Sequence, residues 1–138
     1  MTLFVVEGLS PAPQGSKRHV GGGRMIESSA KVKPWREAVR QSALATGAPM
    51  TDLPVFVHLT FRFTRPKGHH NSKGQLKPSA PNQHITRPDL DKLARSTLDG
   101  LTGVLFNDDS QVAFMTCSKE YADLGQREGA TIDVRIMG

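Results

Sequence analysis

Residues 86–112 read TRPDLDKLARSTLDGLTGVLFNDDSQV, and the way this stretch folds sets the rest of the chain. Leu90, Leu93, Ala94, Thr97, Leu98 and Leu101 recur at spacings of three and four, as on a helix with one face in a core. Pro88 suits the start of that helix, where its missing N–H is no loss, and the glycines at 100 and 103 mark its end. Asn107-Asp108-Asp109-Ser110 then reads as a tight turn into a strand that begins near Gln111.

Three carboxylates flank the helix, Asp89 and Asp91 before it and Asp109 after it, with Arg87, Lys92 and Arg95 close to the first two. Asp89 and Asp91 would diverge on a regular helix; a half-formed first turn lets both reach one point, and the return through the turn is expected to bring Asp109 back towards the helix. Two like charges about 4 Å apart repel by roughly 4 kcal/mol at an effective dielectric of about 20, so gathered carboxylates need protons or a cation. Mg²⁺, or Mn²⁺ in its place, takes hard oxygen ligands and keeps waters of its own. A bland reading competes: aspartate is favoured at helix starts by capping and the macrodipole, and Asp-Asp is ordinary turn chemistry. Acids on both sides of one helix, with cations interleaved, favour a metal acting on a phosphodiester.

Outward from this helix, residues 54–64 form the clearest strand. Val55, Val57, Leu59, Phe61 and Phe63 alternate with Phe56, His58, Thr60, Arg62 and Thr64. Residues 2–8 read as a first strand and 10–24 as a loop rich in Pro and Gly, whose triple glycine at 21–23 suits mobility or close backbone approach to a substrate. Residues 30–46 read as a helix capped by Ser28 or Ser29, with Pro34 in its first turn and Trp35, Val39, Ser42 and Ala43 on the core face. The stretch 65–85 has basic residues, histidines and prolines but no apolar period, and is expected to be a flexible arm. Strands at 111–121 and 130–136 are expected to pair as a hairpin. The order β-α-β-α-β-β predicts one α+β domain over residues 1–138, a mixed sheet with both helices on one face.

The formal net charge of +5 conceals a partition. Residues 11–40 carry seven cations and two anions, residues 62–95 eight and two, and residues 96–138 three and seven. Positive charge thus gathers in the loop-rich stretches, where Lys17, Arg18, Arg24, Arg36, Lys67, Lys73, Lys77 and Arg87 are candidate phosphate contacts. No run of 18 apolar residues exists to span a membrane, residues 2–8 lack the basic flank of a signal peptide, and the single Cys117 can make no internal disulfide; together these fit a reducing cytoplasm. The P-loop pattern is absent.

The run RPDLDKLARSTLDGLTG followed by NDDSQV resembles the signature of RusA-type Holliday junction resolvases, small endonucleases common in bacteriophages and prophages. PAPQGSKR, with GGGRMIESSAKVKPWREAV after it, is similar to the opening half of the phage branch. The resemblance implies a Mg²⁺-dependent endodeoxyribonuclease in the cytoplasm of a bacterial host. It would act as a homodimer making paired, symmetric cuts in a four-way junction, each leaving a 5′-phosphate and a 3′-hydroxyl. It places the metal on Asp89, Asp91 and Asp109, and puts Lys17 and Arg18 on a DNA-facing loop. Arg95 stands where the family has a lysine and Lys92 where its best-known members have asparagine, so either could serve as the assisting cation. Two alternatives stay open: a nuclease with a broader taste for flaps and forks, and a nucleic-acid-binding protein without catalysis.

Overall fold

The computed structural model describes residues 2–15, 17–20, 24–27 and 30–138, with the side chains of 17–20 and 24–27 outside the description. Strand β4 (Val55–Phe63) is the centre: every residue of its odd-numbered face is buried, and it has a paired neighbour on each edge. On one edge it pairs antiparallel with β6 (Gly129–Ile136), which in turn pairs with β1 (Thr2–Glu7). On the other it pairs parallel with β5 (Val112–Tyr121), so the sheet order is β1-β6-β4-β5. Helices α1 (Val32–Ala45) and α2 (Leu90–Leu101) lie over the odd-numbered face of β4. Trp35, Val39 and Ala43 of α1 and Leu93, Ala94 and Leu101 of α2 close one core with Leu59, Phe61 and Ile132. This is the α+β architecture, with the helices on one face, that the sequence predicts.

The expected β5–β6 hairpin does not form. Since β5 ends with Tyr121 beside Phe63 and β6 begins with Gly129 beside Arg62, the connection 122–128 passes over the end of β4 and puts the two strands on opposite edges of it. Ala122 N donates to Phe63 O at 2.8 Å on this path. The apolar face of β4 is covered by the two helices, and β5, exposed at Ala113, Phe114 and Met115, takes an outer position in the sheet. Gly129 is where β6 meets β1: a Cβ there would lie 1.8 Å from Val6 O.

Within the stretch read as a loop, Lys17–Val20 (β2) and Arg24–Glu27 (β3) pair as a two-stranded antiparallel ribbon. The triple glycine between them, and the candidate caps Ser28 and Ser29, lie outside the described residues. The described cap of α1 is Lys31, which makes no side-chain capping bond. Trp35 is fully buried, and its indole Nε1 donates to Thr97 Oγ1 at 3.1 Å, which ties α1 to α2. In place of a structureless arm, 65–85 has a 3₁₀ turn at Lys67–His69 and a bridge between His70 and Leu76. The Arg65 guanidinium stacks 4.4 Å above the Tyr121 ring and donates to Pro81 O at 2.7 Å, which fastens the segment to the end of β5.

The α1–α2 crossing depends on Gly100. A Cβ there would meet Arg36 O and Val39 Cγ1 at 2.9 Å. Gly100→Ala is therefore expected to destabilise by roughly 1–2 kcal/mol, since overpacking costs about 1–3 kcal/mol and helix propensity returns up to about 1. Urea unfolding checks this; a raised midpoint would refute close packing at the crossing.

Candidate functional site

The polypeptide enters α2 through a tethered extended segment. Pro88, expected to open the helix, lies ahead of the cap instead: the Arg87–Pro88 peptide is cis, Asp89 is the extended N-cap residue, and the first helical residue is Leu90. Lys119, half-buried on β5, donates its ammonium to Thr86 O at 2.7 Å and Pro88 O at 2.9 Å.

Asp89 occupies the capping position but does not cap, for its side chain accepts no bond from the helix N–H groups. Its carboxylate is more than half exposed, and among the described residues its one ion pair is with Lys92 Nζ at 3.8 Å. Asp91 sits in the first turn, also exposed, where the macrodipole favours an anion. The capping explanation for Asp89 thus fails on geometry, and two hard carboxylates face solvent at a helix start. That donor set fits Mg²⁺, which commonly takes one or two protein carboxylates beside waters and substrate phosphate.

The chain that leads into β2 runs past the same helix. Before β2, the chain crosses α2: Ser96 Oγ donates to Ala12 O at 2.6 Å and Gln14 N to Lys92 O at 2.9 Å. The ribbon bearing Lys17, Arg18 and Arg24 therefore departs from beside the acidic pair. Arg36 turns inward from this track, donating to Gln14 Oε1 at 3.0 Å and lying 3.9 Å from Asp99. Arg87 and Arg95 are exposed near Asp89 and one turn beyond Asp91, and Lys67, Lys73 and Lys77 are exposed on the arm. A hollow of about 410 Å³ lies between the strap formed by residues 9–14 after β1 and the helix entry, bounded by Ser10, Pro13, Lys31, Phe63, Arg87 and Pro88.

Asp109 lies elsewhere. It opens the 3₁₀ turn Asp109–Gln111, which Asp108 caps by accepting from Ser110 N at 3.0 Å. Gln111 accepts from Asn107 N and Asp108 N, and donates to Thr51 O at 2.9 Å and Leu53 O at 3.0 Å. Each of these bonds holds Asp109 at the start of β5, whereas Lys119 holds Asp89 near its end. At about 3.3 Å per residue along a strand, the two places are on the order of 20 Å apart. The carboxyl of Asp109 is held above the ordinary carboxylate value, first by its hydrogen bond with Asp108, then by desolvation and the charges of Asp108 and Asp99. That of Asp108 is held below it, chiefly by the Ser110 N–H.

Among the described residues, no three metal-ligating side chains therefore gather in one chain. The return after the helix was expected to bring Asp109 back towards it. Gly103 N donates to Phe106 O and Thr51 bridges Phe106, so the short turn stays at the helix end it left.

Sequence reading missed Lys119, Gln111 and His84. Lys119 had a signal: in β5 it shares the helix-facing side with Met115, Cys117 and Tyr121, an odd place for an ammonium. The thiol of Cys117 is pushed up by burial, which fits a packing residue. His84 is buried between the rings of Phe63 and Tyr121, at centroid distances of 4.6 and 4.8 Å. Burial, followed by the Lys119 charge, lowers its pKa from 6.5. The unfolded chain then takes up this proton first, so the neutral ring's contribution to stability is complete above about pH 6.5 and is lost as pH falls through the window down to the lowered value. His84→Phe should accordingly flatten the fall of the urea midpoint between about pH 7 and 5. Parallel profiles for parent and variant would refute a buried neutral His84.

A family model described as Endodeoxyribonuclease RusA matches residues 9–136. No curated protein matches the chain. No helix among the described residues is long and apolar enough to cross a membrane.

Proposed function

The chain belongs to the endodeoxyribonuclease RusA family, whose members act on Holliday junctions, and from that premise we propose a Mg²⁺-dependent enzyme that cuts four-way junctions in symmetric pairs. The observation that carries this reading is the pair Asp89 and Asp91, exposed and released from capping at the point where the basic ribbon leaves α2. Their carboxylates would hold the ion together with Asp109. When bound, Mg²⁺ supplies Lewis acidity toward a phosphate oxygen and a more acidic coordinated water. Lys92 or Arg95 offsets charge that grows on the phosphate during in-line attack, a contact worth on the order of 3 kcal/mol in comparable sites. Lys17, Arg18, Arg24, Lys67, Lys73, Lys77 and Arg87 supply phosphate contacts along the track. Arg36, drawn inward, supports the strap through Gln14.

The distance of Asp109 from Asp89 favours a homodimer in which the partner subunit's Asp109 completes each site. A two-fold pair of such sites also matches the approximate two-fold symmetry of a four-way junction.

Asp91→Asn should abolish cleavage of a synthetic four-way junction in Mg²⁺ while leaving junction binding intact or tighter, as repulsion of the phosphate is relieved. An active Asp91→Asn protein would remove the metal site from this helix. Mixing inactive Asp91→Asn with inactive Asp109→Asn subunits should restore nicking if sites are shared, because each mixed dimer then has one intact site; no recovery would mean that Asp109 acts within its own chain. The same assay on flaps and forks separates a junction resolvase from a broader branched-DNA nuclease, and binding without any cut would favour a protein without catalysis. In addition, Lys17→Ala is expected to lower the salt slope of junction binding by roughly one unit, measured by titration at several salt concentrations. An unchanged slope would take Lys17 out of the interface.

A further inference from the structure

We propose that Lys119 is a positioning residue for the Asp89–Asp91 carboxylates, an inference that rests on the metal-site reading of that pair. A helix start leaves four N–H groups without intrahelical partners, and the usual device for fixing it is a side-chain cap. Asp89 stands in the capping place with its carboxylate turned to solvent, so it does not fix its own turn. The segment before it holds few other anchors: Ile85, Thr86 and Arg87 are all exposed. Beyond the buried ring of His84, the two bonds from Lys119 Nζ, to the carbonyls on either side of Arg87, fasten this entry to the sheet.

The position of Lys119 in the sheet supports the assignment. It pairs in register with Phe61, so its stem rises from the helix-facing side of β5 beneath the start of α2. A charged group there must be desolvated in part, and charge-assisted bonds to two carbonyls at 2.7 and 2.9 Å offset that cost. Both bonds go to backbone groups ahead of Asp89 and none of the described ones to a carboxylate, so the lysine sets the position of the acidic pair without neutralising it. The ammonium is thereby committed to the protein, which leaves phosphate contacts to Lys92, Arg95 and the ribbon.

The test measures Mn²⁺ binding to the DNA-free full-length protein by electron paramagnetic resonance of the free ion, with thermal unfolding alongside. Asp91→Asn serves as the control without a site. Lys119→Met should weaken Mn²⁺ affinity by about tenfold or more, the scale seen when an outer-shell partner of a metal ligand is lost, and Lys119→Arg should restore most of it. Tyr121→Leu removes the ring beneath Arg65 and loosens the same segment from the other side; it should keep the parent affinity at a comparable loss of Tm. Should Lys119→Met not fold, Lys119→Gln, whose amide still donates to one carbonyl, takes its place in the comparison.

Unchanged Mn²⁺ affinity in the Lys119 variant would overturn the positioning role. Equal weakening in Lys119→Met and Tyr121→Leu would do so too, because general loosening would then explain the loss. A parent protein that binds Mn²⁺ no better than Asp91→Asn would instead overturn the metal site at this helix, and this inference with it.

Discussion

Strand β5 lies parallel to β4, and a parallel neighbour can be reached only by carrying the chain back along the sheet before the second strand begins. Helix α2 is that return path. Its start is therefore set near the end where both strands finish, and its last turn near the end where β5 begins. The acids at 89 and 91 fall at the first place and Asp109 at the second, so their separation follows from connectivity and not from any local choice of rotamer. Once β4 and β5 pair in this sense, no adjustment of the 102–108 turn can gather all three carboxylates of one chain.

The same end of the sheet collects the basic elements. The strap from β1 binds across α2 through Ser96 and the Lys92 carbonyl, which sends β2 and β3 out beside Asp89. The arm 65–85 is fastened there by Arg65 and His84 against Tyr121, the last residue of β5. The Arg65–Tyr121 contact is a cation over an aromatic face, typically worth about 0.5–2 kcal/mol, and it fixes only the root of the arm. Its lysines stay outside, in solvent.

What could be read beforehand was what depends on one residue's own period. Alternation along Val55 to Phe63 gave the central strand, and spacing along Leu90 to Leu101 gave α2 and its buried face. Trp35 was assigned to the core for the same reason, and it is fully buried. Pairing is a property of two segments at once, and periodicity does not encode it. β5 and β6 are adjacent in sequence, both alternate, and a turn joins them, so a hairpin was the local solution. In the fold each of them pairs instead with an opposite edge of β4. Asp109 returns to the helix, but a short return restores proximity only to the helix end nearest to it. The ribbon at 17–27 escaped notice because its strands are short, polar and separated by glycines.

Asp89 shows how a site can be kept open within a stable fold. An aspartate at a helix N-cap is ordinarily held by the N–H groups it caps, and a carboxylate so engaged has fewer lone pairs for an ion. Here the capping role is vacant, and the turn is secured from below by an ammonium bonded to the carbonyls one and three residues before Asp89. Stability at the helix entry and availability of the carboxylate are thus carried by different side chains. The division has a structural cost, a lysine partly desolvated on the helix-facing side of β5, which its two bonds to backbone carbonyls offset.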